Sequence, residues 1–181
     1  MACPNLRGYA LQLRVSMFAV IGYLAMGYST ATAHTFSRAL DITTATAIVA
    51  PFYEALTASS AAMIAPLLDQ TTSPGWMNCG ANAACHTKVE TVQRWSARVA
   101  SIPDMQWTKK ELILADSQIV VRGEVSGTPT TMFLGIVPRG RSFHVMTIDI
   151  HEVRDGMIVR TRHMEDWMTA VHQLSDSANT Q

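Results

Sequence analysis

The sequence predicts an α+β domain in which helices come first and an antiparallel sheet follows. Three observations carry this. Apolar residues recur at helical spacing from Asp41 to Val99, whereas beyond Pro103 they fall into extended, often alternating runs. Those runs are separated by turn chemistry at Asp116-Ser117, Gly127-Thr128-Pro129, Pro138-Arg139-Gly140 and Arg154-Asp155-Gly156. No internal repeat, low-complexity tract or long linker divides the chain. Helices followed by a meander bury their apolar faces most simply against one face of the sheet.

The first helix is expected over Asp41–Leu56, where Ile42, Ala45, Ile48, Val49, Phe52 and Leu56 share a face. Pro51 removes a helical hydrogen bond, so a kink or break is expected near Ala50. Ser59 or Ser60 can cap a second, short helix through Met63, Ile64 and Leu67. Thr71 to Ala84 reads as a loop that carries a costly Trp76. Thr87 and Glu90 make a capping box for a third helix with Val89, Val92, Ser96 and Val99 on one face, ending before Pro103. Strands are expected at Met105–Leu114, Ile119–Val125, Thr130–Val137, Ser142–Val153 and Met157–Met164. Trp167–Leu174 closes with a helical turn or two.

Residues 1–33 read as a signal peptide that is cleaved, with a short uncleaved anchor as the alternative. Arg7 and Arg14 form a basic start, Val15–Tyr28 is apolar, and Ala31-Thr32-Ala33 offers a small-x-small cleavage site before His34. The apolar run is short of the ~20 residues needed to span a bilayer, so no stable membrane insertion is expected after cleavage. Residues 34–181 then form a single exported domain, periplasmic or extracellular. It is slightly acidic once Arg7 and Arg14 are gone, which gives no electrostatic footprint for nucleic acid or an anionic membrane. In an oxidising compartment Cys79 and Cys85 most simply pair as a disulfide. A metal reading that adds His86 supplies too few ligands at zinc-site spacing, so no metal is expected.

The candidate chemistry lies in the last hairpin. A two-residue loop at Asp155-Gly156 would pair Arg154 with Met157 and put Asp149 and His163 on opposite faces. A three-residue loop would pair Val153 with Met157 and make Asp149 and His163 diagonal neighbours on one face. In that register Val145, Thr147, Asp149, His151, Val159, Thr161, His163 and Glu165 share a face, with Met146, Ile148, Ile150 and Met164 on the other. The residues permit both registers, and only the second makes an acid/base pair. A plain exposed sheet with ion pairs such as Asp149 with Arg162 is the simpler alternative. Tyr53 can offer its hydroxyl to a cavity or pack as core; Trp76 and Asn78 can line a pocket mouth or cover the core. His86 and His172 read as surface residues and His34 as terminal.

The runs PFYEAL, SIPDM, GIVPRGRSF and DIHEVRDGMIVRTRHMEDW, with a closing HQL, occur in the order seen in SnoaL-like polyketide cyclases of the NTF2-like superfamily. The resemblance covers Ile48 to Leu174 and is most specific over Asp149–Asp166. It implies an NTF2-like cone, a curved antiparallel sheet with about three N-terminal helices enclosing an apolar cavity. It further implies a cyclase or isomerase without metal or organic cofactor. The substrate would be a small hydrophobic carbonyl compound, polyketide-like, undergoing aldol-type ring closure or keto-enol isomerisation.

Family members pair a histidine on the penultimate strand with an acid on the last. Here the positions carry Asp149 and His163, the same groups exchanged, and Asp166 matches a second acid. The resemblance favours the three-residue register. Asp149, His163 and Asp166 are therefore the catalytic candidates, and Tyr53, Trp76, Asn78, Thr147 and Thr161 the substrate-binding ones. A homodimer through the outer sheet face is a further expectation from Met146, Ile148 and Ile150. The competing reading is a non-catalytic exported module for ligand binding or dimerisation, since fold alone does not grant catalysis.

Overall fold

The computed structural model describes residues 40–80 and 84–175; the expected signal peptide lies outside them. Asp41 accepts a hydrogen bond from Thr44 N–H (2.7 Å) and caps α1, Ile42–Leu56. The helix runs unbroken through Pro51, contrary to the expected break. Its buried face (Ala45, Val49, Phe52, Tyr53 and Leu56) is held against the sheet, and that burial outweighs one lost backbone bond. Helix α2, Ala61–Thr71, follows with Ser60 at the N-cap position. Thr87 and Glu90 form the predicted capping box of α3, Lys88–Ser101. The inward face of α3 is rotated from the expected one: Thr91, Val92, Trp95 and Val99 turn inward while Val89 is exposed.

Thr71–Ala84 is not the expected loop. It contains β1, Thr72–Cys79, followed by the short β2, Cys85–Thr87, which returns antiparallel to it. The remaining strands are β3 (Gln106–Ala115), β4 (Gln118–Gly127), β5 (Phe143–Arg154) and β6 (Met157–Glu165). The six-stranded sheet is ordered β2-β1-β6-β5-β4-β3, with β1 parallel to β6 and every other pair antiparallel. Pro74 falls in the irregular part of the β1/β6 pairing between Thr72 and Met77, where its missing N–H costs no ladder bond.

The expected strand at Thr130–Val137 is a tight turn instead. Phe133 and Ile136 exchange backbone bonds of 3.1 and 2.8 Å around Leu134 and Gly135, both at positive φ. Gly135 interrupts the apolar run and supplies the left-handed conformation such a turn needs.

β4 and β5 alternate buried and more exposed residues along their length, so one sheet face carries the core. Two apolar clusters sit on it. One joins α1, α2 and Trp76 to Ile119, Val121, Val153 and Ile158; the other joins Ile102, Val125, Phe143 and Val145 to α4, Trp167–Ser175. Gln173 fastens α4 to β5 by accepting from His144 N–H (2.7 Å) and donating to His144 C=O (3.0 Å). A cavity of about 390 Å³ is lined from both clusters: Phe52 and Leu56 come from the first, Ile102 and Phe143 from the second.

Candidate active site

The β5–β6 hairpin takes neither register weighed from the sequence. Asp155 and Gly156 are at φ 50° and 74° and form a two-residue loop with Arg154 opposite Met157. Continued unchanged, that register would pair Asp149 with Arg162. One extra residue, Val159, is left unpaired between Ile158 and Arg160, and this bulge advances β6 by one position. Asp149 therefore stands directly opposite His163, on the same face.

Their side chains meet at 2.6 Å, His163 Nδ1 to Asp149 Oδ1. The other imidazole nitrogen, Nε2, lies 3.0 Å from Glu165 Oε2. Asp149 is wholly buried, and its second oxygen accepts the Tyr53 hydroxyl at 2.9 Å. That hydroxyl is also 3.1 Å from His151 Nε2, and His151 Nδ1 is 3.0 Å from Thr161 Oγ1. Trp76 Nε1–H donates to the same Thr161 oxygen at 3.0 Å.

The electrostatics give this chain a direction. Burial alone would raise the carboxyl of Asp149. The hydrogen bond and charge of His163, with smaller help from His151 and Tyr53, outweigh it and hold the group below the usual carboxylate range. Burial likewise disfavours charge on His163, but Asp149 and then Glu165 hold the imidazolium well above its ordinary value. His151, fully enclosed, is pushed down to about 4 by burial; Asp149 opposes this and His163 adds to it. Tyr53 is raised by burial and by the Asp149 charge, so its proton stays.

With Asp149 ionised, the single Tyr53 hydrogen goes to it. Tyr53 Oη must then accept from His151 Nε2–H, which leaves Nδ1 of the neutral ring to accept from the Thr161 hydroxyl. The donors thus run from Trp76 through Thr161, His151 and Tyr53 to Asp149, which His163 approaches from the other side. A second indole, Trp107, donates to Thr147 at 3.1 Å and stacks on Tyr53, ring centroids 3.5 Å apart at 6°.

His163, Glu165, Asn78, His86, Arg94 and Arg98 are the polar groups of the cavity wall, among Phe52, Trp95, Met105, Phe133, Phe143 and Trp167. Asp149 is not in that wall; it lies behind His163. Among the described residues, no group of three or more His, Cys, Asp or Glu side chains is arranged to hold a metal ion.

The family model for SnoaL-like polyketide cyclases matches residues 78–174, more than half of the chain. The chain belongs to this family. No curated protein matches it. A candidate SnoaL-like polyketide cyclase from Jannaschia sp. CCS1 superposes with a TM-score of 0.65 at 15% identity, over 75% of this chain and 94% of that one. TsrD from Streptomyces laurentii gives 0.65 at 23%, covering 75% and 98%. IdmH from Streptomyces antibioticus, a candidate polyketide cyclase, gives 0.62 at 23%, covering 73% and 99%. These likenesses establish the NTF2-like fold.

Of the residues expected at a site in this SnoaL-like chain, His163 and Asn78 reach the cavity wall. Tyr53, Trp76, Thr147, Thr161 and Asp149 form the buried hydrogen-bonded layer behind it. Asp166 stands apart. It is exposed and caps α4 by accepting from Thr169 N–H (3.1 Å) and hydroxyl (2.6 Å). Cys79 and Cys85 are joined by a disulfide. His86, expected at the surface, is half-buried on β2 and lines the cavity because β1 and β2 form a wall rather than a loop.

Three residues were not expected at the site: Glu165, His151 and Trp107. Strand alternation already puts Glu165 and His151 on the face of Asp149 and His163, so parity was their signal. For Trp107 the signal is Gly123. A Cβ there would lie 2.5 Å from the indole, and a glycine inside a strand marks such a close approach.

Proposed function

We propose that the protein is a small SnoaL-like cyclase or isomerase that performs acid/base chemistry on a hydrophobic carbonyl compound, independent of any cofactor. The observation that carries this is the row Asp149–His163–Glu165, buried at one end and open to an apolar cavity at the other. Its volume, about 390 Å³, is in the range of small-ligand sites.

The roles follow from position. Asp149 has both oxygens engaged and no access to the cavity, so it orients His163 and keeps it charged. His163 Nε2–H is the donor available to a substrate carbonyl oxygen. When that oxygen takes the hydrogen bond, Glu165 is released to accept a proton from the carbon next to the carbonyl. The C–H electron pair becomes an enolate, and the imidazolium beside its oxygen stabilises the charge. In ring closure the enolate carbon attacks a second carbonyl carbon, and the alkoxide so formed takes a proton from Glu165. In isomerisation Glu165 returns the proton to a different atom. The proton-accepting role thus passes to Glu165 rather than to Asp149, and Asp166 is assigned to capping.

A binding-only role is favoured by one observation, that the three charges already satisfy one another without a ligand. Turnover of β-keto esters, with and without a free carboxylate elsewhere in the molecule, by Glu165→Gln, Asp149→Asn and His163→Ala separates the two. Loss of at least about a hundredfold in all three, with ligand binding retained by Glu165→Gln, supports catalysis. Wild-type turnover at the uncatalysed rate, or unchanged turnover in the three variants, leaves a binding module.

Export belongs to the same proposal. The Cys79–Cys85 disulfide fits an oxidising compartment, and N-terminal sequencing of secreted protein should begin at His34. A homodimer through the outer face is supported by exposed Met146 and Met164, and sedimentation measures it.

A further inference from the structure

Arg98 lies in the last turn of α3 and lines the cavity together with Arg94, one turn before it. Its side chain is half-buried. One terminal nitrogen donates to Ala58 C=O at 3.3 Å, whereas Nε is buried without any partner. Among the described residues no carboxylate lies within ion-pair distance of it. Desolvation is the sole influence that shifts it, and it acts against the charge. The cavity's own carboxylate, Glu165, is engaged by His163.

A buried donor without an acceptor is costly, and more so when the group is charged. Arg98 bears this cost at Nε, and its second terminal nitrogen, which has no hydrogen-bond partner among the described residues, is the donor left for a ligand in a cavity whose other walls are largely Phe, Trp, Leu, Ile and Met. A guanidinium offers parallel donors that match a planar carboxylate, which a ketone or an ester alkyl group cannot replace. We infer that the ligand of this cavity carries a free carboxylate, and that Arg98 is the residue that selects it. Arg94 is exposed and stands on the same side, where it attracts the anion toward the cavity. The reacting carbonyl then meets His163 and Glu165 while the carboxylate is held by α3. The substrate class narrows from carbonyl compounds in general to hydrophobic keto acids. This deepens the proposed function by naming what the same cavity binds, without resting on the proton transfers.

The test is a matched pair of flat probes, 2-naphthoate and 2-naphthamide, titrated by calorimetry into the wild-type protein. Expected is a preference for the acid of roughly tenfold or more, weakening as salt is raised. Arg98→Met should bring the two within about twofold, and Arg98→Lys should keep part of the preference. If Arg98→Met does not fold, the wild-type ratio and the Arg98→Lys ratio decide. Equal or tighter binding of the amide overturns the inference, as does no binding of naphthoate at about 5 mM, a concentration at which even millimolar affinity registers. Glu165→Gln should retain the preference, so its loss of turnover speaks only to the proposed reaction.

Discussion

Asp149 and His163 face each other across β5 and β6 with 2.6 Å between carboxylate and imidazole, and a single unpaired residue, Val159, brings them there. Asp149 is the first cause that raises the His163 pKa against burial, so Asp149→Asn should bring it down sharply. NMR titration of His163 in the two proteins reads this directly. A His163 titration that is the same in both would detach the pair.

The signs set a pH window for stability. His163 is raised in the fold, so its contribution is complete below the unfolded value of ~6.5 and is lost as pH rises through the folded value. Asp149 is lowered, so its contribution holds above the unfolded value of ~3.9 and is lost as pH falls through the folded one.

His151 acts between those limits. Its folded pKa is about 4, so the unfolded chain takes up a proton that the fold refuses as pH drops from ~6.5 to ~4. Stability should fall by roughly 3 kcal/mol over that interval, at 1.36 kcal/mol per unit. Urea unfolding of His151→Gln at several pH values should show a flatter slope there, whatever its absolute stability. A slope as steep as the wild type's would mean that another group carries the acid sensitivity.

Much of this was legible in the chain, and the gaps have physical reasons. The capping box at Thr87 and Glu90 is a local device, and it reads from sequence as it folds. Strand parity put Asp149 with His151, and Thr161 with His163 and Glu165, while the pairing that brings the two sets to one face stayed open between two registers. The bulge at Val159 could not be read, because nothing at Val159 differs from an ordinary strand residue and pairing with β5 alone reveals it. β1 was missed for a related reason. Thr72–Cys79 carries Pro74 and Gly75 and has weak strand propensity; its partner β6 is some eighty residues further along the chain. The run Thr130–Val137 failed in the opposite sense, since local apolar character suggested a strand that no neighbour pairs with.

Gly123 tests how tightly the layer behind the site is packed. An added methyl group would meet the Trp107 indole at 2.5 Å and press it toward the Tyr53 ring stacked on its other side. Gly123→Ala should therefore cost about 1–3 kcal/mol and change the near-ultraviolet circular dichroism of the tryptophans. It should also weaken the Trp107 bond to Thr147. An unperturbed spectrum with unchanged stability would show that the indole can move aside freely.

The Cys79–Cys85 bridge ties β2 back onto β1 at the edge of the sheet, and the wall it secures is part of the cavity: Asn78, Gly80, Ala84 and His86 all line it. Chain entropy gives about 2 kcal/mol for so short a loop. Cys79→Ser with Cys85→Ser, or a reductant, should lower the midpoint of thermal unfolding by about 4–10 °C. Because β1 pairs with β6 at Asn78 opposite Thr161, loosening this edge should also weaken ligand binding while leaving the Asp149–His163 contact intact. The His163 titration in the reduced protein separates the two effects: an unchanged pKa with poorer binding assigns the loss to the wall. A reductant that shifts neither the midpoint nor the affinity would mean that the bridge does not form in solution.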